Sequence, residues 1–257
     1  MTDHSPDGAL RTERWAIETG GALTAVQRRA CRRAALPTYA RHAKDLVLLA
    51  ARLGRASGSV VDWMPAAPDS ALTRAALEEC ADQGPDMEAH GLRTWLFGSM
   101  LAGADRIDLD PEMLHVASIA HDVGLADAVD GEDFTVRSAA AAARCFGRAG
   151  RELEGEQEQG LRDAVVAHTT PGIDVDEDPL ATYIQAGAMV DLVGLRLRDL
   201  PRDVVAEVYR RHPQRALRDA LPRALEAEAE AVPEGRFALL ASLGFGWTVK
   251  LAPNRRA

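Results

Sequence analysis

The chain is poor in cysteine, aromatics and lysine, has no long apolar run, and each shortage narrows what it can be. Its three cysteines, Cys31, Cys80 and Cys145, share no CxxC spacing, so neither a disulfide framework nor a zinc knuckle is expected. Small buried thiols in a reducing compartment are the simpler reading. Aromatic residues make up only 5% of the chain, too few to suggest a platform for stacking bases. The longest aliphatic run near the N-terminus, Leu46 to Ala51, is far too short to span a bilayer. The stretch "MTDHSPDGALRTERWAIETGG" has no apolar h-region, so a cytoplasmic protein without a signal peptide or membrane association is expected.

Lysine occurs only at positions 44 and 250, so arginine carries nearly all the positive charge, and the formal net charge is −9. That balance argues against nucleic acid as a partner. Residues 11–55 run against it, with ten basic side chains and three acids. They form either an anion- or partner-binding surface or, more simply, a solvated helix face balancing an acidic body.

What remains is ordinary globular composition, 47% apolar and 27% charged, in a chain long enough to bury a substantial core. Helical periodicity runs through nearly all of it, and strand signals are almost absent. The expected fold class is all-α, a bundle of roughly eight to ten helices. An N-terminal hairpin is expected within residues 1–60: one helix to Leu36, broken at Pro37, and a second stopped at Gly54. Asp69 or Ser70 can cap the next helix, to about Cys80, and another spans about Met87 to Ala104. "LDPEMLHVASIAHDVG" starts well, with Asp110 as cap and Pro111 at the first position, and is expected to end at Gly124. Asp178 with Pro179 caps a later helix, and the acid-alanine run at 226–231 reads as a solvated face. Residues 68–215 form the main domain in this reading, and residues 216–257 a C-terminal helical segment and tail.

Chemistry gathers in the middle of the chain. His90, His121 and His168 end or line helices in apolar surroundings, where a neutral imidazole is a ligand or a satisfied core residue. His115 reads as a surface residue. Asp191 lies in "IQAGAMVDLVG", amid an apolar stripe, and a carboxylate there is expensive to bury unless a cation or strong donor meets it. Asp122 raises the same question, and a divalent metal between the two carboxylates would answer both. Gly187, Ala188 and Gly194 are small enough to let neighbouring backbones approach Asp191. Adjacent residues on an ideal helix point about 100° apart, so His121 and Asp122 can serve one ion only near a helix end.

The order His90, His121-Asp122, Asp191, carried by "HGLRTWLFGSMLA", "LDPEMLHVASIAHDVGL", "AVVAHTTPGI" and "AGAMVDLVG", resembles the HD superfamily of metal-dependent hydrolases. Within it the likeness is nearest to the cyanamide hydratase-like branch and covers about residues 68–195. The resemblance implies an HD-domain helical bundle and makes His90, His121, Asp122 and Asp191 ligands of one divalent metal. Such a mixed nitrogen and oxygen set suits Zn, Fe, Mn, Ni or Co, and no organic cofactor is implied. Where many HD phosphohydrolases carry a lysine three residues after the HD aspartate, this chain has Leu125. HD-type di-iron oxygenases place two further histidines before the last aspartate, and here only His168 stands there.

The expected activity is hydrolysis or hydration of a small molecule by metal-activated water, with a nitrile- or amide-type carbon as the electrophile. His168 or Thr169 would donate to the developing nitrogen anion and Asp122 would orient the water. The alternatives are phosphohydrolysis of a nucleotide or phosphomonoester, with Arg93 or Arg137 neutralising phosphate, and a non-catalytic protein of the same fold. Arg93 and Phe97 share a face with His90, and Phe97 either borders the substrate or packs. Assembly into a homo-oligomer is left open.

Overall fold

The computed structural model describes residues 10–51, 53, 55–214, 217–250 and 252–253. Among them there are thirteen α-helices and no strand; the only β pairing is an isolated bridge between Val129 and Glu132. The all-α expectation therefore holds. Gly54, taken as a helix stop, lies outside the described residues.

Helices α1 (Glu13–Thr19) and α2 (Ala25–Ala50) precede a turn-rich link holding α3 (Val60–Trp63). Six helices follow: α4 (Ala71–Cys80), α5 (Pro85–Asp105), α6 (Pro111–Ala120), α7 (Phe134–Arg148), α8 (Gly155–Ala167) and α9 (Pro179–Val193). The chain closes with α10 (Arg202–Arg211), α11 (Leu217–Ala231), α12 (Arg236–Ser242) and α13 (Phe245–Lys250). Helices α4 to α10 contribute to one continuous apolar core, which also takes in Trp15 and Cys31.

Local chemistry sets the helix starts. Ser70 caps α4 by accepting from the Thr73 amide, Asp110 caps α6 from Glu112 and Met113, and Asp178 caps α9 from Ala181. In α6 and α9 a proline follows the cap, where its missing N–H removes no bond.

Pro37 does not break its helix. α2 runs 26 residues straight through it, because proline's fixed φ is already helical and the turn it disturbs, around Arg33, is open to water that can satisfy the freed carbonyl. With the helix continuous, the buried positions are Cys31, Ala35, His42 and Asp45, while Val26 and Val47 are exposed. Two further expectations are corrected. His115 is buried with its ring 5.1 Å from that of Trp95. Glu228, inside the supposedly solvated run, is also buried, where its carboxylate accepts the Phe134 amide.

The pair α5 and α9 packs more extensively than any other described pair. Their contact depends on Gly187, where a Cβ would overlap the Thr94 carbonyl oxygen of α5. Two backbones this close put the short side chains of α9 within reach of His90 and Arg93 on α5.

Candidate metal centre

His121 and Asp122 reach the same point because α6 stops just before them. His121 is the cap (φ −57°, ψ −32°), and Asp122 leaves the helical path at φ −111°, ψ 7°. The helix ends earlier than Gly124. That glycine instead lies in a 3₁₀ turn, Val123–Ala126, where a Cβ would overlap the Phe134 carbonyl oxygen. Its contribution is close approach to α7.

His168 repeats the arrangement at the end of α8. Its Nδ1 lies 2.5 Å from the Val165 carbonyl, as Nδ1 of His121 lies 2.7 Å from that of Ser118. A carbonyl only accepts, so in both rings Nδ1 carries the hydrogen and Nε2 presents its lone pair. His90 is fixed in the same sense by Asp191, whose Oδ2 is 2.7 Å from Nδ1.

All three Nε2 atoms turn towards one carboxylate. His90 and His121 stand 3.4 and 3.2 Å from Oδ2 of Asp122, and His168 stands 3.5 Å from Oδ1. The rings of His90 and His121 are 5.1 Å apart and those of His121 and His168 are 5.0 Å apart. Nε2 of His90 and of His121 is buried without a hydrogen-bond partner. Lone pairs and a carboxylate facing one another in a buried site call for a cation between them. Ligand atoms of His90, His121 and Asp122 lie within 4.8 Å of one another, so this group could hold a metal ion, and the orphaned nitrogens fit one.

The electrostatics set His90 apart from His121. Burial holds the His121 imidazole below its ordinary pKa, favouring the neutral ligand form. Burial opposes charge on His90 too, but the carboxylates of Asp122 and Asp191 outweigh it and raise its pKa. Burial works against the Asp122 carboxylate, yet the surrounding imidazoles hold it well below the usual range.

Asp191 is not part of the cluster. Arg93 grips it through two contacts, Nε to Oδ1 at 2.8 Å and Nη2 to Oδ2 at 2.9 Å, and Gln214 donates to Oδ1 at 2.5 Å. The cation that makes this buried carboxylate affordable is a guanidinium, which together with His90 pulls its pKa far down against the effect of burial. Asp191 thus orients His90 from behind.

The remaining residues singled out in the sequence divide between the cavity and its support. A cavity of about 280 Å³ opens over His121, Asp122, His168 and Thr169, and the Thr169 hydroxyl has no partner. Arg93 is fully buried, its Nη1 donating to the His212 and Pro213 carbonyls, and it does not line the cavity. Phe97 packs on Tyr209, ring centroids 5.7 Å apart, also away from the cavity. Arg137 ties down the turn after Asp122, donating to Glu132 and to the carbonyls of Gly124 and Asp127.

Three supports carried no sequence signal. Gln185 donates to the carbonyls of His168 and Thr170. Gln214 reaches Asp191 from the segment after α10. Arg236 of α12 holds the Val166 carbonyl, the Thr170 hydroxyl and the Asp133 carboxylate at once. Helix α2 and the C-terminal helices also wall the cavity, through Thr38, Tyr39, His42, Phe237, Leu240 and Phe245. Among known proteins, no family model and no curated sequence matches the chain.

Proposed function

We propose that the protein is a metal-dependent hydrolase or hydratase acting on a small, neutral, carbon-centred substrate such as a nitrile or amide. The observation that carries this reading is the convergence of three imidazole Nε2 atoms on the Asp122 carboxylate at the floor of a cavity. His90, His121 and Asp122 would hold the ion, with His168 beside them. A divalent ion bound there supplies water of lowered pKa, a nucleophile at neutral pH.

The chain's own groups supply the rest. Oδ1 of Asp122, beside His168, would orient a water molecule, and Thr169, with its unpartnered hydroxyl, would donate to a developing anion. His168 is a proton carrier held at a fixed angle by its Val165 bond. The walls around them are mostly apolar. The likeness of the residue order to HD-superfamily hydrolases of the cyanamide hydratase-like branch supports the same reading.

A phosphohydrolase is less well supported. Arg93 and Arg137 have their donors engaged by protein groups. The two arginines that do line the cavity face carboxylates: Arg196 is bound by Asp105 and Asp199, and Arg41 lies 3.8 Å from Asp199.

The test is elemental analysis of the purified protein, followed by parallel panels of cyanamide, nitriles and amides and of nucleotides and phosphomonoesters, with Zn, Fe, Mn, Ni or Co supplied. The expected result is bound metal and turnover on the neutral panel. His168→Ala should lose roughly 10²–10⁴ in rate while keeping its metal. Phosphate release alone would replace this reading with phosphohydrolysis, and folded protein that takes up no metal would remove the enzymatic one.

A further inference from the structure

The cavity has polar groups that the metal cluster does not account for. Helix α2 lays Ala35, Thr38, Tyr39 and His42 along one wall, at the i, i+3, i+4, i+7 spacing of a single helical face. The approach is close: a Cβ on Gly172, just beyond the His168 turn, would run into the Ala34 side chain. On this wall the Tyr39 hydroxyl and Nδ1 of His42 are buried with no hydrogen-bond partner, and His42 itself is 94% buried by its 6% exposure. Buried polar groups of a folded protein are nearly always satisfied. Two orphans on adjacent turns of one helix, both bordering a cavity, call for a partner inside that cavity.

The charge around them limits what that partner is. Burial lowers the pKa of His42, so it is neutral at physiological pH, and burial raises that of Tyr39, which keeps its hydroxyl hydrogen. The rest of the lining is mostly apolar, with Met189, Leu192 and Leu240 among its residues, and its two arginines, Arg41 and Arg196, face the carboxylates of Asp199 and Asp105. A fitting ligand is polar at both ends and apolar between.

We propose that Tyr39 and His42 form a recognition subsite that selects an uncharged ligand with an apolar middle and a distal hydroxyl, carbonyl or amide. The reactive end of that ligand would sit over His121 and Asp122, so the inference rests on the function proposed above and names its substrate class. Tyr39 and His42 are specificity determinants and take no part in bond making.

The probes are ω-hydroxyalkyl nitriles of graded chain length, each compared with the alkyl nitrile of the same length. Binding is measured by calorimetry on the full chain, both metal-loaded and chelator-treated. One buried hydrogen bond between neutral groups corresponds to a preference of about five- to tenfold for the hydroxylated probe, expected at the chain length that spans the cavity. Tyr39→Phe and His42→Leu should each reduce that preference, and together abolish it, with affinity for the plain nitrile and metal content unchanged. If His42→Leu fails to fold, Tyr39→Phe, which removes one oxygen, decides alone. Equal binding of the two probe series at every length overturns the subsite, as does a preference that survives both substitutions. A preference that persists in protein unable to take up metal would leave the subsite standing and overturn the metal reading instead.

Discussion

Oδ2 of Asp191 lies 2.7 Å from Nδ1 of His90, and this one contact decides which nitrogen of His90 is left to face Asp122. It also separates two carboxylates that look alike in sequence. Asp122 stands among imidazoles at the cavity floor, whereas Asp191 is neutralised from behind by Arg93.

Asp191→Asn and Asp122→Asn should therefore differ in kind. The first leaves the Arg93 guanidinium buried without its counter-charge and should destabilise the protein by about 3–5 kcal/mol, while metal affinity falls roughly 10–100-fold through the loosened His90. The second should remove metal binding with a much smaller loss of stability, because the imidazoles around it can remain neutral. Denaturant unfolding and metal titration of both variants check the contrast. Equal destabilisation by the two would contradict it.

Gly187→Ala forces a methyl group against the Thr94 carbonyl at the α5–α9 crossing. The helices must part, at an expected cost of about 1–3 kcal/mol, and Asp191 moves away from His90. Weaker metal binding should accompany the lowered unfolding midpoint. A variant with native stability would mean that the helices are less tightly apposed than described.

Arg236→Met removes the partner of the buried Asp133 and two anchors of the turn bearing His168 and Thr169. A loss of about 3–5 kcal/mol is expected, measured by thermal unfolding. Against the effect of burial, which raises it, Arg236 above all holds the Asp133 pKa below its ordinary value. The loss should therefore be smaller at acid pH, where that carboxylate is neutral.

Glu228 gives a signed pH dependence. Burial pushes its pKa up to about 7, with the Phe134 amide pulling the other way and Asp133 adding to the rise. A folded-state value above the ordinary 4.5 means that the folded protein favours the protonated form. Its contribution is therefore fully present below pH 4.5 and is lost as pH rises through about 7. Glu228→Gln keeps an acceptor for Phe134 and should be the more stable protein at about pH 8, by roughly 1–3 kcal/mol, and little different near pH 4. Parallel unfolding curves across that range would show that Glu228 does not titrate as described.

Much of this is legible in the sequence. Periodicity and capping residues placed the central helices to within a few residues, since Ser70, Asp110 and Asp178 act on their own first turns. The pairing of His121 with Asp122 was legible because a helix end beside a His-Asp pair is a local feature, whereas His90 joined them only through the resemblance of the residue order. The role of Asp191 was not, because Arg93 and Gln214 meet it from distant parts of the chain. Sequence spacing shows that a buried carboxylate needs a cation without showing which cation. Pro37 misled for a related reason: its penalty is local, but whether water can relieve it depends on which face of α2 is exposed. The cavity wall on α2 was hidden by the same error, since a helix broken at residue 37 would not present Ala35 and His42 along one face.

The reach of Arg236 carries a consequence for biosynthesis. The histidines and aspartates of the cluster leave the ribosome well before residue 236 does, and until then the backbone from Val166 to Thr170 lacks its last fastening. The nascent chain thus carries every ligand before it has a finished pocket. In a chain made in that order, the His168 turn is fastened only once α12, which bears Arg236, has emerged.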